Sequence, residues 1–261
     1  MSAARVLRYE LSNVARARWA VAYGLFFLLA AEALLRFAGG GPRAMLSLVN
    51  IVLFIIPLVS AVFGTVYLYD ARAFTRLLLA QPVSRKQLFG GLYLGLSLPL
   101  AGAFLLGAAP PFLVRGLAGG AVGTFVALMA AGVLLTFVFT ALAFVIAVRF
   151  EEKVRGLAVA IFLWLFFTIV YDGLVLAAVS AFSAFPLEKP VIALMLLNPV
   201  DLARVMLLMH FDVSALMGYT GAVFDRFFGS GLGMAISLSA LVAWLAVPLL
   251  TGLHRFARKD F

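Results

Sequence analysis

Long apolar runs alternate along the chain with short polar islands, and the lengths of the runs set the architecture. Six runs have the length of a membrane span: Trp19–Phe37, Ala44–Leu68, Leu88–Phe112, Thr124–Val148, Gly156–Phe182 and Leu232–Leu253. At about 1.5 Å per helical residue, each can cross a hydrocarbon core roughly 30 Å thick. Gly39-Gly40-Gly41-Pro42 supplies a turn between the first two runs, and a glycine-rich turn around Gly116–Gly123 joins the third to the fourth. The pattern predicts an all-α polytopic membrane protein, one transmembrane domain over residues 1–261.

The polar islands have their own grammar. Residues 2–18 place Val6, Leu7, Leu11 and Val14 near one face with Arg5, Arg8, Arg16 and Arg18 around it. That reads as an N-terminal amphipathic elbow helix on the membrane surface, against the alternative of a frayed basic tail. In the stretch 69–87, Asp70 can cap a short helix on which Phe74, Leu77, Leu78 and Gln81 share a face. Pro82 stops that helix, and Ser84 with Gln87 forms a capping box for the next. A two-part elbow of this kind suits a surface that another protein pushes on. Between the fifth and sixth runs, 183–231 predicts two short extracytoplasmic or re-entrant helices. One starts at Asn198-Pro199-Val200-Asp201 and runs to about Met209, the other runs from Ser214 to about Phe228. A seventh span over Val191–Met209 would bury Asn-Pro-x-Asp and move the basic tail to the other side.

Composition strengthens the membrane reading. The chain is 65% hydrophobic and 12% charged, about half the charge of a soluble domain. The net charge of +9 does not imply nucleic acid, because the basic residues occupy the islands that the positive-inside rule places in the cytoplasm. With six spans, those islands hold four Lys/Arg in 2–18, four in 69–87, three in 149–155 and three in the tail, out of 20. Both termini are therefore expected in the cytoplasm, with the first run retained rather than cleaved. The absence of Cys excludes disulfides and thiolate chemistry.

Catalytic signatures are missing. No GxxxxGK[ST] loop and no HExxH occurs, and Glu151-Glu152-Lys-Val-Arg155 reads as a charged loop rather than a protease motif. Glu32 has Arg36 four residues on, which predicts an ion pair along the first span. Asp172 lies about 24 Å along its helix with no partner in its own span. It can pair with Arg204 or line a translocation path. Met206, Met209 and His210 share a helix face suited to Cu(I), and the same stretch is also an ordinary apolar stripe with Leu202 and Val205.

With its N-terminal helix, its elbow ending in LLLAQPVSRKQ (Leu77–Gln87), Tyr171-Asp172, LLNPVDLAR (Leu196–Arg204) and DVSALMGYTGAVF (Asp212–Phe224), the chain resembles the six-span permeases of the ABC-2 class. It is most similar to the NosY type, associated with maturation of the multicopper enzyme nitrous oxide reductase. The resemblance covers essentially the whole chain. It implies a homodimeric, non-enzymatic permease of the bacterial inner membrane, with two copies of a separate cytoplasmic ATPase that binds ATP and Mg. For the NosY type it also implies a periplasmic β-helical copper-handling partner and copper in the complex, though no cofactor bound by this chain. By that resemblance ATPase coupling falls to the elbow, with Asp70, Arg72, Phe74, Arg76, Leu77, Leu78, Gln81 and Arg85. Glu151 and Glu152 in the 149–155 loop are secondary contacts. Asp172, Asn198, Asp201 and Arg204 are candidates for a translocation path or outer partner contact, and Met206, Met209 and His210 for metal. The alternatives are an ABC-2 exporter of a drug, lipid or ion, and an intramembrane enzyme using Asp172 or Glu151.

Overall fold

The computed structural model describes residues 18–38, 40–79, 84–115, 121–182, 188–210 and 231–258, all of them helical or in tight connections. In chain order the helices are α1 (Arg18–Phe37), α2 (Gly41–Asp70), α3 (Arg72–Leu79), α4 (Arg85–Arg115) and α5 (Ala121–Arg149). They continue with α6 (Lys153–Leu165), α7 (Tyr171–Ala181), α8 (Glu188–Leu196), α9 (Pro199–His210) and α10 (Gly231–Arg258). A π turn, Phe166–Val170, joins α6 to α7, so these two form one membrane-length element. Among the described residues, six helical elements are long and apolar enough to cross a membrane. Their bounds match the six expected runs to within a few residues. The N-terminal surface helix and the Ser214–Phe228 helix fall largely or wholly outside the described residues.

The turn between α1 and α2 works as its composition requires. Gly40 adopts φ 138°, a backbone state that disfavours side chains, and Pro42 sits in the first turn of α2. The bundle is organised around α5, which touches α2, α4, α6, α9 and α10. That helix is apolar on every side, as a helix surrounded by others should be. Buried residues make up 67% of its apolar window and 11% of that in α6–α7. The fifth span therefore leaves most of its apolar surface for lipid or another chain. Phe27, Phe89, Phe104, Phe139 and Phe144 fill the centre, each at most 1% exposed, several of them edge to face.

Hydrophobic burial drives little of this packing, since lipid is as apolar as the partner helix; close backbone approach has to supply it. In the α1–α4 contact a Cβ at Gly107 would collide with the Gly24 carbonyl oxygen, and one at Gly24 would meet the Ala103 carbonyl at 3.1 Å. At the far end of the same pair, Glu32 takes both Arg36 (2.8 Å) and Arg115 of α4. The expected i,i+4 pair is present and extended across helices.

Gly107→Ala should lower the stability of the detergent-solubilised chain by about 1–3 kcal/mol through overpacking. Gly102→Ala on the same helix meets nothing within 4 Å, and its thermal transition should stay level or rise.

Candidate functional site

Two polar assemblies stand out, one at each half of the bundle. The first is built on α3. Ala71 alone separates α3 from α2, and the backbone stays bonded through it: the Ala71 amide donates to the Tyr67 carbonyl at 2.9 Å, and Thr75 donates to Ala71 at 2.8 Å. A capping side chain is not required. Asp70 is the last residue of α2 rather than the expected cap, and its carboxylate takes Lys153 Nζ at 2.6 Å.

Arg72 explains why the elbow stays where it is. Helix α5 ends at Arg149, leaving its last carbonyls without intrahelical donors. The Arg72 guanidinium donates to three of the carbonyls in this region: Ala147 at 2.9 Å, Phe150 at 2.8 Å and Glu151 at 2.6 Å. Tyr69 donates its hydroxyl to the Phe150 carbonyl at 2.9 Å, and its ring lies 4.2 Å beneath the guanidinium. Gly156 lies against the Tyr69 hydroxyl and ring edge, where a Cβ would collide. The elbow and the 149–155 connection are thus one tied unit, with Arg72 as the clamp.

The faces of α3 divide differently from the sequence expectation. Phe74 packs against the bundle core and Thr75 is buried, whereas Leu77 is 71% exposed. Arg76 and Leu78 lie within α3, and Gln81 lies outside the described residues. The Phe74–Leu77 stripe is split because the bundle takes the first residue and leaves the second outward. Glu151 and Glu152 are exposed in the connection, Glu152 only 3.9 Å from Arg155. Beside them Val154 is 80% exposed, which sequence reasoning missed. Ser84 supplies its half of the capping box by accepting from the Gln87 amide at 3.3 Å, and Arg85 donates to the Ala257 carbonyl at 3.3 Å.

In the opposite half, α8 and α9 form a pair bent by 111°. Helix α8 was not expected, although Glu188 and Pro190 in its first turn are readable start signals. Asn198 sits fully buried at the bend and caps α9, accepting from the Val200 amide at 3.0 Å. Its amide group donates at 2.8 Å to the Phe167 carbonyl in the π turn and at 2.8 Å to Asp201. A π turn shifts the backbone ladder to i→i+5, with the Tyr171 amide donating to Phe166. Asn198 takes up the carbonyl beside that shift. The pairing offered for Asp172 is present: Arg204 reaches it at 2.7 Å and Asp201 at 3.0 Å. Two carboxylates therefore share one guanidinium, next to a groove of about 450 Å³ that includes Asn50, Thr168 and Arg204. The carbonyls at the end of α8 are also covered, Leu194 by the Tyr171 hydroxyl at 2.6 Å and Leu196 by Trp244 Nε1 at 3.1 Å.

Met206 points into an apolar interior, packing near Leu134 and Leu241. Met209 and His210 follow on α9. Among the described residues, no group of three His, Cys, Asp or Glu is placed to hold a metal ion.

Comparison with known proteins covers nearly the whole chain. Residues 10–261 match the family described as ABC-2 family transporter protein. The chain is 31% identical over 269 residues to the "Probable ABC transporter permease protein NosY" of Pseudomonas aeruginosa, covering 95% of this chain and 92% of that one. It is 30% identical over 273 residues to the protein of the same name from Stutzerimonas stutzeri, covering 97% of each. With six membrane-length helices among its described residues, the chain belongs to the ABC-2 family and is a transporter permease subunit.

Proposed function

We propose that α3 and the 149–155 connection together form the surface on which a separate ATPase acts, and that the pair moves as one lever. The observation that carries this is the exposure of Leu77 and Val154 on two segments tied by Arg72. Both lie among charged residues at the polar end of the bundle. Exposed apolar side chains in such a place mark a partner contact. On this reading the elbow end is cytoplasmic, in the bacterial inner membrane, with two ATPase subunits serving two copies of this chain. ATP and Mg then belong to the partner.

The NosY resemblance extends the reading to copper-site maturation of nitrous oxide reductase, with the opposite end meeting a periplasmic β-helical protein. Force reaches that end through α6. Its first turn lies in the clamp, and its far end runs through the π turn into the Asn198–Arg204 cluster. Met206, Met209 and His210 are candidate copper contacts of the complex within this proposal. Co-purification of an ATPase without any periplasmic partner would favour export of a drug, lipid or ion instead.

In a reconstituted complex, Leu77→Asp should weaken ATPase binding by about 2 kcal/mol, roughly 30-fold, and remove permease-dependent ATP hydrolysis. Phe74→Ala should instead lower the thermal transition of the isolated chain, because Phe74 packs inward. Unchanged ATPase affinity in Leu77→Asp would refute the assignment.

A further inference from the structure

At the elbow end, α5 and α10 finish side by side around a cavity of about 370 Å³ lined by Val148, Arg149, Glu151, His254, Arg255 and Arg258. Three guanidiniums and one carboxylate line it, so positive charge is in excess. Arginines at helix C-termini ordinarily serve the last carbonyls. Here that work is done from elsewhere: Arg72 covers Ala147, Phe150 and Glu151, and Arg85 reaches Ala257 in the last turn of α10. Nor are the three arginines consumed by acids. Among the described residues, the acids at this end that form ion pairs are Asp70, with Lys153, and Glu152, with Arg155. Arg149, Arg255 and Arg258 are exposed and make no ion pair with a described residue.

What lies beside the cavity identifies its occupant. On α10, Val247 and Leu250 are 60% and 62% exposed. They fall on the helix face that continues through His254 to Arg258 at steps of three and four residues. A cationic cavity thus caps an exposed apolar strip on a membrane-spanning helix. A free anion would use only the first, and an amphiphile uses both. We infer that this cavity binds the phosphodiester headgroup of an anionic phospholipid, with an acyl chain lying along Val247 and Leu250. Basic pockets between spans at the membrane surface suit such headgroups. The site would anchor the ends of α5 and α10 beside the clamp, without depending on the ATPase reading.

Native mass spectrometry of the purified full-length chain should test this, with phosphatidylglycerol and phosphatidylcholine of identical acyl chains. Phosphatidylglycerol should be retained preferentially. The triple variant Arg149→Gln/Arg255→Gln/Arg258→Gln should lose that retention by on the order of tenfold or more. Arg155→Gln, on the same end but outside the cavity, should keep it. If the triple variant fails to fold by circular dichroism, Arg255→Gln alone should still show a weaker preference. Equal retention of the two lipids, or full retention by the cavity variants, would overturn the proposal. A melting-temperature rise in inorganic phosphate equal to that in phosphatidylglycerol would make it a free-anion site. Loss of ATPase binding in the triple variant with lipid retention intact would make it a protein contact.

Discussion

Where a helix ends, bends or bulges near hydrocarbon, it releases carbonyl groups that water reaches poorly, and each uncovered carbonyl is costly. Side chains from other elements cover them in this chain. Arg72 and Tyr69 cover the end of α5, Asn198 the π turn, and Tyr171 and Trp244 the end of α8. Trp164 of the fifth span also donates to the Phe54 carbonyl of α2 at 3.0 Å. The capping contacts are therefore also the long-range ties of the fold. In a bilayer, where apolar packing discriminates poorly between helix arrangements, such directional bonds do much to fix the one observed.

The same constraint links fold to function. A clamp made of hydrogen bonds from one guanidinium to three carbonyls is short and directional, so elbow and connection are not free to move separately. At the other end, Asn198 and the shared Arg204 hold the fifth span against α9 at its π turn. The 11% burial of that span means few intramolecular contacts resist its movement.

Much of this was legible in the residues. Span positions follow from run length alone, because the bilayer sets a minimum that nothing else in the sequence imitates. The Glu32–Arg36 pair and the Asn198 cap are local, and local geometry travels with spacing. Arg72 was readable as a basic elbow residue but not as a clamp, because its acceptors are backbone carbonyls some 75 to 79 positions away; any residue type presents the same carbonyl. Asp70 has the features of a cap and instead pairs with Lys153, because the backbone continues through Ala71 and leaves no orphan amide to satisfy. The inward turn of Phe74 depends on how α3 docks, which periodicity does not encode. For the Arg204 cluster, the sequence named Asp172 and its partner, and Asp201 stands three residues before Arg204 on α9, a spacing that was equally readable.

In the docking mode proposed above, the elbow and the 149–155 connection are one surface, engaged together by an ATPase. The chain contains no Cys, so Leu77→Cys and Val154→Cys each place a single thiol at an exposed site. The direct measurement is the rate of maleimide labelling of each variant in inside-out membrane vesicles, with and without the partner ATPase. Both thiols should react readily alone, and both should be protected when the ATPase is bound. Protection of one without the other would contradict a single tied surface, and protection of neither would contradict the docking site itself.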